Sequence, residues 1–138
     1  MNIKFEFDIY HDDYQRAGSA SSEIKKYLAQ IGLSPKLIRK IVISSYEAEM
    51  NVVIHSFGGK LKIEIEDNHI SLTSVDTGPG IENIDLALTE GYSTASQKVR
   101  EMGFGAGMGL PNMKKNSDTF EIESSPKGSI VKLSWVIV

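Results

Sequence analysis

Ile3, Phe5, Phe7 and Ile9 alternate with Lys4, Glu6 and Asp8. A period of two predicts a half-buried strand. Asp12 and Asp13 then offer caps for a helix through about Ile31, with Tyr14, Ala17, Ile24, Tyr27, Leu28 and Ile31 as its apolar side and Gly32 as its stop. Ser34-Pro35 restarts a helix, serine supplying an acceptor for free N–H groups and proline suiting the first helical position. This second helix is predicted to reach about Ser56, where Gly58-Gly59 halts it. Leu61, Ile63 and Ile65 alternate with Lys62, Glu64 and Glu66, Asp67-Asn68 turns, and residues 70–75 return, which predicts a hairpin.

Beyond Asp76 the texture changes. Gly78, Gly80, Gly91, Gly103, Gly105, Gly107 and Gly109 place seven of the chain's 12 glycines within residues 76–109. A weak helix is expected near 83–89, and the rest of 82–109 reads as a long lid; loops of that length are usually functional or disordered. Residues 110–116 predict a short helix with Pro111 in its first turn, followed by strands at 120–124 and 129–138 around a turn at 125–128. The order β-α-α-β-β-(α)-lid-α-β-β predicts one α/β (α+β) domain over 1–138: a two-layer sandwich whose mixed, mostly antiparallel sheet carries helices on one face.

At 100° per residue, apolar positions 37, 38, 41, 42, 43, 46, 50, 53, 54 and 57 spread around most of the second helix, as in a largely buried helix. The gap holds Lys40, Ser44, Glu47 and Asn51, with His55 at its edge; Arg39 and Glu49 fall outside it. Such a stripe is either a narrow solvent-facing seam or the lining of a pocket. In the second case Glu47 and Asn51, one turn apart, point at the same ligand. Their oxygens are hard ligands suited to Mg²⁺ or to orienting a hydroxyl.

Composition narrows the field. With 15 Lys+Arg against 18 Asp+Glu, the net charge is −3. A non-specific nucleic-acid or membrane-surface binder is usually basic, so neither partner is expected. The absence of cysteine removes disulfides, thiol nucleophiles and thiolate metal sites. No apolar run approaches the roughly 20 residues that span a bilayer, and the alternating N-terminus is unlike a signal peptide. The chain reads as soluble and cytoplasmic.

Two glycine motifs carry candidate chemistry. Val75-Asp76-Thr77-Gly78-Pro79-Gly80-Ile81 follows a predicted strand. It is turn chemistry, but it also places a carboxylate at a strand end, able to accept from an exocyclic amine such as adenine N6. Gly103-Phe104-Gly105-Ala106-Gly107-Met108-Gly109-Leu110 leads into a helix. It is either a hinge or a phosphate cradle, since free N–H groups at a helix start bind anions. It lacks the Gly-Lys-Ser/Thr of a Walker loop and the G-x-G-x-x-G of a dinucleotide fold.

In sequence, Glu-x-x-x-Asn-x-x-x-His on a helix, Asp-x-Gly-x-Gly after a strand and Gly-x-Gly-x-Gly before a helix resemble the GHKL ATP-binding superfamily of gyrase, Hsp90, histidine kinases and MutL. The resemblance extends over nearly the whole chain and implies the Bergerat ATP-binding fold. Within that superfamily, Glu47-Ala48-Glu49-Met50-Asn51-Val52-Val53-Ile54-His55, Gly107-Met108-Gly109-Leu110-Pro111-Asn112-Met113-Lys114-Lys115 and Phe120-Glu121-Ile122-Glu123-Ser124 look most like the small anti-sigma regulatory factors, serine/threonine protein kinases, and their switch-kinase branch. Met50 before the asparagine, Ser129 in place of threonine and Gly91-Tyr92-Ser93-Thr94 in the lid depart from that pattern.

Residue by residue, the resemblance implies that Glu47 is the general base and Asn51 the Mg²⁺ ligand. Asp76 would bind adenine N6, with Gly78 and Gly80 making room for the ring and Ile81 beside it. Gly105, Ala106, Gly107, Met108, Gly109 and Leu110 would cradle phosphates, and Ser129 would help hold adenine through water. His55 either approaches a phosphate or closes its helix. Lys98, Arg100, Lys114 and Lys115 flank the glycines and are either solvated charges or phosphate cations. The implied activity is ATP- and Mg²⁺-dependent phosphorylation of a Ser or Thr on a partner protein, and the implied partner is an anti-sigma antagonist (STAS-type) or a sigma factor. A homodimer is compatible with this. The alternatives are a stand-alone histidine-kinase-like catalytic domain and an ATP-gated binding module without transfer.

Overall fold

In the computed structural model, residues 2–81, 84–89 and 109–137 are described. Among them the elements are β1 (Ile3–Ile9), α1 (Ser19–Gln30), α2 (Pro35–His55), β2 (Gly59–Ile65), β3 (His69–Thr77), α3 (Ile84–Ala87), α4 (Gly109–Lys115), β4 (Thr119–Ser125) and β5 (Gly128–Val136). The five strands form one sheet in the order β1-β2-β3-β5-β4.

Every pairing is antiparallel, where the sequence allowed a mixed sheet. The reason lies in the connections. Two successive helices between β1 and β2 return the chain to the end of the sheet where β1 finished; a single crossover helix would have delivered a parallel neighbour. The other sequential pairs, β2–β3 and β4–β5, are hairpins.

One face of the sheet packs on the helices. Leu61, Ile63, Ile65, Ile70, Leu72, Val131, Leu133 and Trp135 are buried against Ala20, Ile24, Leu28, Ile41, Ala48, Val52, Val53, Leu110 and Met113. The indole of Trp135 donates to Asn116 O, so the largest buried side chain leaves no polar atom stranded. The opposite face shows Lys4, Glu6, Lys60, Lys62, Glu121 and Lys132 to solvent.

α2 starts as predicted: Ser34 Oγ accepts from Leu37 N at 3.3 Å, with Pro35 in the first turn. At its other end Ser56 Oγ donates to Val52 O (2.6 Å) and accepts from Gly58 N (3.0 Å), diverting the chain into β2.

α1 corrects the sequence reading. It begins at Ser19, not at Asp12 or Asp13. Asp12 adopts a left-handed backbone (φ 58°) and its N–H donates to Val53 O at 2.9 Å, so residues 11–18 form a turn pinned to α2. The N-cap is Gly18 (φ 95°), which has no side chain to cap with. Glu49 of α2 does so instead, accepting from Gly18 N (3.0 Å), Ala20 N (3.3 Å) and Ser21 N (3.1 Å).

Candidate functional site

β1, β3, β4 and α2 finish, and β2, β5 and α4 begin, at the same end of the molecule. The inner face of the sheet turns polar there. The pairings Gly59↔Asp76, Asp76↔Ser129 and Ser129↔Ser124 set these four residues in one row across β2, β3, β5 and β4. Directly paired residues share a face.

Asp76 is built into this row. Its Oδ1 accepts from Ser129 N at 3.1 Å. A side chain at Gly59 would overlap Val75 O and the Asp76 backbone, and one at Gly128 would overlap Asp76 O. Glycines on both neighbouring strands therefore let the backbones close around the carboxylate, a signal that motif reading missed. Burial raises the Asp76 pKa and the Ser129 N–H opposes the rise. A carboxylate held by one oxygen, with its burial incompletely compensated, suits a hydrogen-bond donor arriving from outside.

Gly78 and Gly80 bring the following turn against the fold. A Cβ on Gly78 would lie 3.1 Å from Ser56 Cα and 3.2 Å from Phe57 N. Gly80 has φ 75°, and a Cβ there would overlap Ser125 O. Ile81, partly buried against the core, donates its N–H to Ser124 Oγ at 2.6 Å. Ser124 Oγ in turn lies 2.9 Å from Ser129 Oγ. No motif marked Ser124; the β4–β5 register places it.

The stripe on α2 is not a solvated seam. Ser44 is fully buried, its hydroxyl donating to Lys40 O at 2.9 Å. Glu47, Asn51 and His55 are half-buried. The start of α4 covers two of them: a Cβ on Gly109 would sit 3.1 Å from Glu47 Oε2 and 3.2 Å from Asn51 Oδ1. Asn112, one turn on, donates from Nδ2 to Glu47 Oε1 at 3.5 Å. Burial pushes the Glu47 pKa up, and the Asn112 contact pulls it down by less. Burial lowers the His55 pKa, favouring a neutral imidazole.

Glu47, Asn51 and Gly109 therefore meet where α2 passes α4, while Asp76, Ser129, Gly78, Gly80 and Ile81 gather at the end of the sheet. The Leu110 side chain is buried in the core. Gly105, Ala106, Gly107 and Met108, with Lys98 and Arg100, lie outside the described residues. Lys114 and Lys115 occupy the last turn of α4, at the opposite end from Gly109. Among the described residues no cluster of three or more His, Asp or Glu side chains could hold a metal ion by itself. A cation at Asn51 would share its ligands with phosphates and water, as Mg²⁺ commonly does. No helix among the described residues is long and apolar enough to cross a membrane.

Residues 37–136 match the family described as histidine kinase-, DNA gyrase B-, and HSP90-like ATPase. The chain is 30% identical to the anti-sigma F factor of Caldanaerobacter subterraneus subsp. tengcongensis over 143 residues, covering 99% of this chain and 93% of that protein. It is also 30% identical to the anti-sigma F factor of a Thermoanaerobacter species over 129 residues, with 89% and 87% covered. Among solved structures it is similar in fold to the RsbU and RsbW domains of a Mycobacterium tuberculosis protein (TM-score 0.63, 17% identity, 96% of this chain and 32% of that one). It is likewise similar to a chain of the SiaB–SiaC complex from Pseudomonas aeruginosa (TM-score 0.55, 15% identity, 96% and 89%).

Proposed function

This chain belongs to the histidine kinase-, DNA gyrase B- and HSP90-like ATPase family, and we propose that it is a protein serine/threonine kinase of the anti-sigma regulatory type. It takes ATP as phosphoryl donor and a Ser or Thr hydroxyl of a partner protein as acceptor, within a partner-switching pathway. The observation that carries this reading is Glu47: a half-buried carboxylate of raised pKa, one turn from the Asn51 amide oxygen, both against the start of α4. A module that only binds nucleotide has no use for a base there. The anti-sigma F factor relatives support a regulatory protein as partner.

Glu47 accepts the proton of the attacking hydroxyl as its oxygen bonds to the γ-phosphorus and the bond to the β-phosphate oxygen breaks, releasing ADP. The raised pKa serves this role, since a carboxylate of ordinary acidity is a weak base near neutrality. Asn51 would hold Mg²⁺, which supplies charge neutralisation on the phosphates when bound. Asp76 accepts from the exocyclic amine of adenine through the oxygen that Ser129 N leaves open. Ser129 sits beside it to help hold the base.

The test is phosphoryl transfer from labelled ATP with Mg²⁺ to a candidate antagonist domain. Acid-stable label on Ser or Thr is expected; acid-labile label would point to histidine, and binding without transfer to a non-enzymatic module. Asp76→Asn is expected to weaken nucleotide binding itself, by about tenfold.

A further inference from the structure

We infer that Ser124 is a specificity-determining residue: its hydroxyl orients that of Ser129 as a donor, so that the site selects adenine over guanine. This rests on the reading of Asp76 as the acceptor for the adenine amine. The inference concerns which way the protons in the polar row point.

A serine hydroxyl has one proton to give and two lone pairs. Ser124 Oγ accepts from Ile81 N at 2.6 Å, a bond whose direction is fixed because the amide can only donate. Ser124 must then place its own proton, and the acceptor within reach among the described residues is Ser129 Oγ at 2.9 Å. In the reverse arrangement Ser129 donates to Ser124, which would then accept twice and leave its own proton without a partner in a part-buried place. The satisfied arrangement runs from Ile81 N–H to Ser124 and from Ser124 O–H to Ser129. It leaves the Ser129 proton free to point away from Ser124.

Meanwhile the Ser129 N–H is committed to Asp76 Oδ1 at 3.1 Å. The end of the row thus presents an acceptor, the Asp76 carboxylate, next to a donor, the Ser129 hydroxyl. Adenine carries the complement, an amine donor beside the N1 acceptor. Guanine carries the reverse, the O6 acceptor beside the N1–H donor. Without Ser124 the Ser129 hydroxyl is a free rotor that serves either base. Sites built to hydrogen-bond a particular pattern reject the reversed one because buried groups are then left unpaired.

The experiment measures ADP and GDP affinity by titration calorimetry on the full chain, together with thermal stability, for the wild type, Ser124→Ala and Ser124→Thr. The wild type is expected to prefer ADP. Ser124→Ala is expected to cut the ADP-over-GDP ratio about tenfold, the worth of one oriented hydrogen bond. Ser124→Thr keeps the hydroxyl on a strand that tolerates β-branching, and is expected to stay within about twofold of the wild-type ratio. A purely structural role would lower stability and both affinities while sparing the ratio. A wild type without preference for ADP would overturn the Asp76 reading and this inference with it. A clear wild-type preference that Ser124→Ala leaves intact, or that Ser124→Thr loses equally, would overturn the Ser124 assignment alone.

Discussion

Glu47 and Glu49 stand two residues apart on α2, which sets them about 200° apart around its axis. Glu49 is the more deeply buried, at 1% exposure, and it accepts three backbone N–H bonds from the start of α1. Glu47 keeps some access to solvent, and its described partner is the long contact from Asn112. Burial raises the pKa of Glu47. Depth alone does not make a base. Partners make the difference: three backbone N–H groups at the start of α1 tie Glu49 to structure. Glu47 meets a sparser set of donors, and the burial that raises its pKa leaves it an appetite for a proton.

The largest effect that tests this contrast is on rate. Glu47→Gln preserves size and hydrogen-bonding capacity but cannot take a proton at neutral pH. It is expected to lower phosphoryl transfer by about 100- to 10,000-fold while nucleotide affinity stays within about threefold. Single-turnover transfer and calorimetric binding measured side by side check this. Transfer at the normal rate would remove Glu47 from the role of base.

Next comes stability. Glu49→Leu removes the acceptor from three N–H groups, of which those of Ala20 and Ser21 are buried. It is expected to cost ~3 kcal/mol, at a few kcal/mol for stranded donors, read as a lower urea midpoint. Glu47→Gln is expected to change stability by less than about 1 kcal/mol, the usual range away from structural hydrogen-bond networks. If the two variants were equally stable, the division of labour between the faces of α2 would be wrong.

The same contrast explains what could be read from the chain before its fold. α2, with its Ser34-Pro35 start, and the β2–β3 hairpin rest on local periodicity and turn chemistry, and both are where the pattern puts them. Spacing marks Glu47, Asn51 and Asp76 as candidates, and the structure sets the first two against α4 and the third in the polar row. The start of α1 is not legible locally because its cap comes from Glu49, 31 residues beyond Gly18. Asp12 and Asp13 have capping side chains but lie in the turn before the helix. Ser124, Gly59 and Gly128 take their meaning from strand register. No local motif encodes that register.

The smallest effect sharpens the contrast most. Asn112 opposes the burial that raises the Glu47 pKa. Asn112→Leu should therefore push that pKa further up, and the acid limb of the transfer rate against pH should move to higher pH. The stability consequence has a definite sign. A carboxyl whose pKa is higher folded than unfolded holds its proton longer in the native state. Its stabilising contribution is then complete below the unfolded value and lost as pH rises through the folded one. Asn112→Leu should widen that window, so its urea midpoint, followed from acid toward neutral pH, should begin to lose this contribution at the same pH as the wild type and go on losing it up to a higher pH. In the double variant with Glu47→Gln the displacement should vanish. A shift that survives there would belong to another group, and Asn112 would then have no part in setting the basicity of Glu47.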